Sequence, residues 1–476
     1  MECYVEKLRE FIGLSGGQAH HLFLEFSLIV WVLWLICKKS TTNELKLTEN
    51  EKEALIRDYE PEPLVTEVSP SHFALKPRVV RGKAGKYINI DGIECLNFAT
   101  HNYLGFIGDD SVEKDAMKTI EKYGVGSCGP RGFYGTTEVH LALEKQLAEF
   151  MGAEDAVVYS YAFSTISSAI PAYAKKGDMI FVDERANFAI QKGLDASRSV
   201  IKVFKHNDIK DLERLLEETK KADLKNPKKA QRSRRFLVVE GICANTGEIC
   251  PLPQLVELRR KYKLRLFLDE SISFGVLGKT GRGVTEHFGI PRTEVDLVMA
   301  SLENSLASIG GFCVGTFFIV DHQRLSGLGY CFSASLPPLH VIAAMEGLRR
   351  LDQQPDILEK LNRLCGVMHD ALNSSSIINN HFTVCGDCDS PVHLLLLKPD
   401  VCCSNPQSVI GDIIELCLQE RIAVSRASFL ANDSSKTPAC IRVTTSLFLS
   451  DDDIAVFIRT LESACRHKFL ETYSAS

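Results

Sequence analysis

Short apolar runs alternate with longer amphipathic stretches through the middle of the chain. Runs of four or five apolar residues predict strands that are buried on both faces, and apolar residues at helical spacing predict the helices between them. The predicted strands are 156–159, 179–182, 201–204, 236–239, 264–268 and 295–299. The predicted helices are 162–173, 188–196, 209–219, 252–262 and 339–352.

This alternation predicts an α/β fold whose mostly parallel sheet is covered by helices on both faces. We expect a large domain over residues 95–345. Helices mixed with short strands then predict a smaller C-terminal α+β domain over residues 346–476. Ligands of parallel sheets bind beyond the carboxyl ends of the strands, so functional residues should directly follow the strands.

A nearly continuous apolar run, HHLFLEFSLIVWVLWLIC, occupies residues 20–37. Eighteen helical residues span about 27 Å, close to the ~30 Å hydrocarbon core of a bilayer. A cleaved signal peptide would need a basic segment before the run and a small-residue cleavage site after it, and neither is present. We expect a luminal tail and membrane-anchoring helix over residues 1–45, then a linker and N-terminal arm over 46–94. The lysines after the run predict a cytosolic body.

Composition narrows the function mainly by exclusion. The net charge of −6, from 61 acidic and 55 basic residues, gives no reason to expect nucleic acid. The sixteen cysteines are scattered through apolar patterns, which favours reduced thiols over disulfides. Cys385 and Cys388 form a single CxxC, with Cys402 and Cys403 nearby, and this spacing does not predict a metal site.

One run is strongly basic, with eight Lys/Arg and one Asp over residues 220–235. A solvated surface segment is the ordinary interpretation of such a run. Contact with anionic lipid headgroups is the alternative, suggested by the expected membrane helix.

Four motifs lie at predicted strand ends or in glycine-rich loops: 102–105, 124–136, 268–271 and 301–311. The last follows a predicted strand and contains the pair Gly310-Gly311, where a backbone could approach a ligand closely. A lone glycine-rich loop is weak evidence. Several motifs in one order are more specific.

Taken together, these motifs resemble the α-oxoamine synthases, pyridoxal-phosphate enzymes of the aspartate-aminotransferase fold that condense an amino acid with an acyl-CoA. The resemblance covers roughly residues 60–460. The matching segments are the YGxGxxGxR loop at 123–131, Gly135-Thr136, His140, the FxHND segment at 204–208 and the VEG segment at 239–241.

The resemblance also assigns the cofactor residues. The family places an acid against the pyridinium nitrogen, one histidine soon after it, a second histidine on the ring and a lysine for the Schiff base. Asp269 matches the acid, whereas Ile272 and Asn187 stand at the histidine positions and Asn304 at the lysine position. An amide nitrogen is not nucleophilic, so we expect no catalytic residue on this chain and only a vestigial contact at Asp269.

Family members are dimers whose active sites lie at the interface, so an inactive chain can still shape its partner's site. The segment 330–338 matches one that contacts the phosphate of the partner's cofactor, through Ser333, Ala334 and Ser335. Residues expected at the interface or substrate edge are Asn102, Tyr103, Arg131, Tyr134 and Asn187, and Arg442 matches an arginine that holds a substrate carboxylate.

The missing lysine and the N-terminal helix resemble a non-catalytic family member of the endoplasmic reticulum membrane. Such a chain pairs with a lysine-bearing catalytic subunit, which holds pyridoxal phosphate covalently, and with small membrane regulatory subunits. Two alternatives remain. One is a self-sufficient synthase that uses another lysine, the nearest in sequence being Lys279. The other is a purely regulatory membrane scaffold.

Overall fold

The computed structural model describes residues 16–37, 47–65, 72–127, 129–354, 356–399, 401, 405–427 and 438–474. The chain divides into two compact units, Met1–Pro77 and Arg78–Ser476. The first unit contains helices α1 (Gly16–Cys37) and α2 (Glu49–Asp58). Thr48 and Glu51 form a capping box that starts α2, because each side chain accepts a hydrogen bond from the other's backbone N–H.

Helix α1 covers the predicted membrane anchor, and the apolar side chains from Leu22 to Ile36 are exposed along it. Within the described ranges, however, no helix combines the length and apolar character needed to cross a bilayer. The expected membrane-spanning helix is therefore not confirmed. Lys38 and Lys39, which follow it, lie outside the described residues.

The second unit contains fifteen strands among its described residues. They are β1 (Val80–Arg81), β2 (Tyr87–Ile90), β3 (Ile93–Asn97), β4 (Asp155–Tyr159), β5 (Met179–Asp183), β6 (Val200–Phe204), β7 (Arg235–Glu240), β8 (Arg265–Asp269), β9 (Leu297–Ser301), β10 (Gly311–Gly315), β11 (Phe382–Cys385), β12 (Val392–Leu397), β13 (Ile422–Ala423), β14 (Ser425–Arg426) and β15 (Cys440–Thr444).

The α-helices of this unit are α3 (Asp110–Tyr123), α4 (Glu138–Met151), α5 (Ala162–Tyr173), α6 (Phe188–Ser197), α7 (Ile209–Lys225), α8 (Pro227–Arg232), α9 (Leu252–Tyr262), α10 (Val284–His287), α11 (Phe317–Ser326), α12 (Leu328–Phe332), α13 (Pro338–Gln353), α14 (Asp356–Ser374), α15 (Ser376–His381), α16 (Pro406–Gln419) and α17 (Asp451–Ser474).

The central sheet has seven strands in the order β4-β10-β9-β8-β7-β5-β6. Neighbouring strands are parallel except at β10, which is antiparallel to β4 and β9. The predicted α/β fold with a mostly parallel sheet is confirmed. Its strands are mostly buried, which explains why they read as continuous apolar runs, and the exception is the edge strand β6, where only Phe204 is buried.

Helix prediction succeeded where the apolar periodicity is strong, and α5 and α9 have the predicted bounds. Helix α7 runs six residues beyond the predicted end at 219, because the lysines that follow are good helix formers. Helices α3 and α4 were not predicted, although Asp109 caps the first and Thr137 begins a capping box for the second.

Two smaller sheets complete the unit, in the orders β1-β2-β3-β13 and β11-β12-β15-β14. The second sheet lies with helices α14 to α17 in the C-terminal part, where a separate apolar core includes Phe382, Ile410, Ile441 and Phe457. Helices mixed with short strands are therefore present there, whereas the domain boundary after residue 345 stays a prediction.

The Gly310-Gly311 pair is required by packing at the start of β10. Gly310 has a φ of +110°, a conformation that favours glycine. A Cβ at Gly311 would lie 2.4 Å from the Thr165 hydroxyl and 2.8 Å from the Ala300 carbonyl oxygen. The glycines thus let β10 approach α5 and β9, rather than opening the backbone to a ligand.

Candidate functional site

Two acidic side chains end adjacent strands at the carboxyl edge of the central sheet. Glu240 ends β7, Asp269 ends β8, and the register places the two residues directly opposite each other. Only 7% of Glu240 and 1% of Asp269 is exposed. The fold therefore buries two carboxylates side by side.

Asn187 bridges this pair from the start of α6. Its Oδ1 caps the helix by accepting a hydrogen bond from the Ile190 N–H at 3.0 Å. Its Nδ2 donates to Glu240 Oε1 at 2.9 Å and to Asp269 Oδ2 at 2.8 Å. Its backbone N–H donates to Glu240 Oε2 at 3.0 Å. A single residue thus starts a helix and joins both carboxylates.

Backbone N–H groups also donate to the two carboxylates. Ser271 N–H donates to Asp269 Oδ1 at 2.9 Å, and Ala244 N–H donates to Glu240 Oε1 at 3.1 Å. No lysine or arginine pairs with either carboxylate in the part of the chain that the structure describes. Neutral donors therefore take the place that a cation would fill.

Burial raises the pKa of Glu240 to about 8, and the neighbouring charge of Asp269 acts in the same direction. Burial also raises the pKa of Asp269. Two uncompensated charges this close and this deeply buried repel each other strongly. Burial and mutual repulsion therefore favour the protonated form of the pair, and the two carboxyl groups titrate as a unit.

Asn304 ties the loop after β9 to its neighbours. Its side-chain Nδ2 donates to the Ser271 carbonyl oxygen at 2.8 Å, and its backbone carbonyl oxygen accepts a hydrogen bond from the Tyr103 N–H at 3.3 Å. Ile272 lies in the main apolar core with 6% of its surface exposed. Neither side chain offers a nucleophile or a proton-transferring group to a ligand.

The residues at this edge do not fit covalently held pyridoxal phosphate. Asn304 cannot form an imine, and its amide already donates to the backbone. Asp269 is enclosed, and each of its oxygens accepts one N–H donor from this chain. Ile272 adds an apolar side chain at the same place, and the buried Ser271 hydroxyl beside it has no hydrogen-bond partner among the described residues.

The glycine-rich loop is held from inside by Arg131. Its guanidinium donates to Glu144 Oε1 at 2.8 Å and to Glu144 Oε2 at 3.0 Å, and 6% of the residue is exposed. This bidentate contact is a buried ion pair within the chain. The structure thus places Arg131 inside the loop, and its predicted interface role stays a prediction.

The 333–335 segment latches onto the same loop. Ser335 Oγ donates to the Gly135 carbonyl oxygen at 2.5 Å, and its N–H donates to the Gly129 carbonyl oxygen at 3.0 Å. His140 Nε2 contacts the Leu336 carbonyl oxygen at 2.7 Å. Burial, followed by the charge of Arg131, lowers the pKa of His140 to about 4, so the ring is neutral and donates.

The loop also presents an exposed aromatic tip. Phe133 is 68% exposed and Tyr134 is fully exposed. Tyr134 has a φ of +64°, a left-handed conformation that costs a non-glycine residue about 1–2 kcal/mol. Hydrogen bonds from the Phe133 and Gly135 N–H groups to the Pro130 carbonyl oxygen, at 2.9 and 3.0 Å, hold the turn.

The other predicted residues divide by exposure. Ala334 is exposed and Ser333 is half-buried. Asn102 is buried, with Nδ2 donating to the Ala84 carbonyl oxygen at 3.4 Å, and Tyr103 is buried with its hydroxyl 2.5 Å from His101 Nδ1. Arg442 donates to the Ser425 hydroxyl at 3.2 Å.

Sequence reasoning matched His206 to a family segment but assigned it no role. Its ring lies between Asp183 Oδ1 at 2.8 Å and Glu248 Oε2 at 3.1 Å. Burial disfavours the charged ring, yet the hydrogen bonds to both acids raise its pKa to about 9. His206 thus carries a positive charge that joins the ends of β5 and β6 to the 243–250 loop.

Comparison with known proteins places these features in a family. The aminotransferase class I and II family matches residues 93–461. The chain is 39% identical over 475 residues to serine palmitoyltransferase 1 of Dictyostelium discoideum, covering 98% of this chain and 97% of that protein. It is 39% identical to long chain base biosynthesis protein 1c of Oryza sativa subsp. japonica, covering 91% of this chain and 89% of the relative.

Solved structures agree with these matches. The serine palmitoyltransferase of Sphingomonas wittichii superposes with a TM-score of 0.73 at 25% identity, covering 88% of this chain and 96% of that chain. A serine palmitoyltransferase solved with a pyridoxal-phosphate internal aldimine has the same TM-score and identity, covering 82% of this chain and 93% of that one.

Replacing Asn187 with aspartate tests the bridge. Asn187→Asp keeps the helix-capping oxygen but removes the donor and adds a third carboxylate. We expect the free energy of unfolding to fall by about 2–4 kcal/mol at pH 8. The raised pKa of Glu240 means that protonation favours the folded state, so the loss should shrink as the pH falls from 8 towards 5. Urea unfolding at several pH values measures both effects.

Asn405→Asp is the matched control, because Asn405 caps α16 at an exposed position through the same type of contact. Its effect should stay within about 0.5 kcal/mol. Equal losses for the two variants, or a loss at Asn187 that does not depend on pH, would contradict an Asn187 bridge between two acids with raised pKa values.

Proposed function

Because the chain belongs to the aminotransferase class I and II family, we propose that it is the non-catalytic subunit of a serine palmitoyltransferase. It pairs with a lysine-bearing catalytic chain, long-chain-base subunit 2, which holds pyridoxal phosphate covalently. The complex condenses L-serine with palmitoyl-CoA to 3-ketosphinganine, releasing carbon dioxide and CoA, and so begins sphingolipid biosynthesis. Small membrane regulatory subunits complete the proposed assembly.

The observation that carries this proposal is the closed carboxyl edge of the sheet. At the position where the chemistry requires a lysine amine, the Asn304 side chain donates a hydrogen bond to the Ser271 carbonyl oxygen. Asn187 donates a hydrogen bond to Asp269, the acid that would face the cofactor. The names of two close relatives, serine palmitoyltransferase 1 and long chain base biosynthesis protein 1c, support the reaction and the pathway.

The contribution to the partner comes from the loop tip and the adjoining segment. Phe133 and Tyr134 project from a turn that is braced internally, and Ser333 and Ala334 lie beside the Ser335 latch. A rigid, exposed edge of this kind suits a surface that completes a neighbouring site. Buried Asn102, Tyr103 and Arg131 would then support the edge from behind.

The self-sufficient synthase is the weaker candidate. Lys279, the nearest lysine in sequence to Asn304, is exposed. Glu240, Asp269 and Asn304 have no lysine among their hydrogen-bond or ion-pair partners in the described ranges. The second alternative is the regulatory scaffold. It differs from the proposed subunit only in that none of its residues contributes to the partner's active site.

Covalent cofactor capture tests the division of labour. When this chain and a lysine-bearing homologue are produced together and reduced with borohydride, mass spectrometry should find the cofactor on the homologue only. Asn304→Lys should not make this chain active by itself, because Ile272 and Asn187 still stand at the two histidine positions. A cofactor adduct on the unaltered chain, or robust turnover from Asn304→Lys alone, would refute the proposal.

A bulky residue at position 333 distinguishes the proposed non-catalytic subunit from a purely regulatory scaffold. Ser333→Tyr should lower the turnover of the complex at least tenfold while both chains still co-purify, because the side chain would intrude at the proposed shared site. Ser199→Tyr is the control, since Ser199 is also half-buried but precedes β6 at the opposite edge of the sheet. Unchanged turnover for Ser333→Tyr in an intact complex would favour the scaffold.

We further propose that the protein resides at the endoplasmic reticulum membrane with its body in the cytosol. The exposed apolar side chains from Leu22 to Ile36 support contact with lipid. In intact microsomes, protease added from outside should digest residues 78–476. Recovery of the full chain in the soluble fraction, or protection of this unit from the protease, would contradict the proposed location.

A further inference from the structure

The amino-terminal edge of the central sheet carries a feature that the proposed function does not use. A concave depression of about 420 Å³ lies beside the starts of β5 and β7, opposite the strand ends that carry Glu240 and Asp269. We call it the basic depression. The polar side chains that line it are Lys176, Asp178, Lys228, Lys229, Arg232 and Ser233.

Two short segments build the basic depression. The turn before β5 is set by Gly177, whose φ of +101° favours glycine. The short helix α8 follows the cap residue Asn226, whose Oδ1 accepts from the Lys229 N–H at 3.3 Å. The first segment directly precedes β5, and α8 lies within the basic run 220–235.

Asp178 joins the two segments, and both of its carboxylate oxygens accept hydrogen bonds in doing so. Its Oδ2 accepts from Arg234 Nη2 at 2.7 Å and from the Lys175 N–H at 2.9 Å. Its Oδ1 accepts from the Arg234 N–H at 2.9 Å. The carboxylate is therefore neutralised by Arg234 in the wall and leaves the lining cations uncompensated.

Four cations line the depression without an acidic partner. Lys176, Lys228, Lys229 and Arg232 are exposed, and none of them forms an ion pair with a described carboxylate. Like charges gathered on a concave surface repel one another and concentrate a positive potential. Because these side chains are exposed, the arrangement costs little free energy in water and leaves the cations available to an anion.

A second depression at the same edge shows the ordinary arrangement. There Arg235 pairs with Asp223 at 2.5 Å, and Lys261 pairs with Glu213 at 2.6 Å. Lys220 lies 3.8 Å from Glu217. A solvated, ion-paired surface thus accounts for one part of the basic run but not for the basic depression.

We propose that the basic depression binds an anion that carries clustered phosphate groups. Lysine and arginine side chains with a neighbouring serine hydroxyl supply charge-assisted donors for phosphate oxygens. The volume exceeds that of a single phosphate ion and accommodates two or more phosphate groups. Two sources share this chemistry, a soluble polyphosphate ligand and the phosphate headgroups of a membrane.

Binding by the full chain, purified with its partner, tests the site in two arms. Inorganic pyrophosphate is titrated by calorimetry at low salt. In parallel, flotation compares phosphatidylcholine vesicles containing phosphatidate with vesicles containing phosphatidylserine at equal surface charge. We expect saturable binding that weakens as salt screens the charges. Pyrophosphate binding alone indicates a soluble ligand, and preference for phosphatidate over phosphatidylserine indicates a lipid headgroup.

The test variant combines Lys228→Glu, Lys229→Glu and Arg232→Glu and should lower affinity at least tenfold. The matched control combines Lys114→Glu, Lys210→Glu and Lys360→Glu, three exposed lysines elsewhere with a nearly identical change in charge. It should change affinity by less than about threefold, because salt screens distant charges. Circular dichroism verifies folding, and Lys228→Ala with Lys229→Ala is the milder variant should the reversal disturb it.

Three results would overturn the proposal. The first is no binding of either pyrophosphate or phosphatidate vesicles by the unaltered protein. The second is binding that survives both the charge reversal and the alanine variant. The third is an equal loss in the control variant, which would mean that only the overall charge matters. The readout is binding and not turnover, so it stands apart from the proposed role in acyl transfer.

Discussion

The hydrogen bonds from Asn187 to Glu240 and Asp269 are the contact on which the carboxyl edge of this sheet depends. Parallel pairing of β7 and β8 forces the two carboxylates side by side, and the surrounding strands bury them. Such a pair needs a cation, a proton or neutral donors. In this chain the amide of Asn187 and backbone N–H groups supply the neutral donors.

This constraint explains why the losses at the three family positions belong together. A pyridinium ring would bring the positive charge that Asp269 otherwise lacks. Without a lysine at position 304 to retain the ring, an unbridged pair of buried acids would destabilise the fold. Asparagine at 187 bridges the acids, isoleucine at 272 fills apolar space, and asparagine at 304 binds the backbone of Ser271. Each of the three side chains therefore has a structural contact in this chain.

The sequence predicted the central sheet well because strands that are buried on both faces consist of continuous apolar runs. It predicted less about the direction in which individual side chains point. Arg131 and Asn102 look like polar residues available to a partner, yet the first is buried against Glu144 and the second beneath Ala84. The Gly310-Gly311 pair looked like a ligand cradle, but Thr165 and Ala300 lie where its side chains would be. The sequence shows which residue stands at each position, but it does not predict where the side chain points, because that depends on packing between segments that are distant in the chain.

The two edges of the sheet handle charge in opposite ways. At the carboxyl edge, Glu240 and Asp269 are buried and accept hydrogen bonds from neutral donors of this chain. At the amino edge, Lys176, Lys228, Lys229 and Arg232 are exposed without acidic partners. Uncompensated exposed charge is inexpensive in water, but it remains free to bind. The proposed anion site therefore depends only on the exposed cations of the amino edge, and it does not require any particular role for the carboxyl edge.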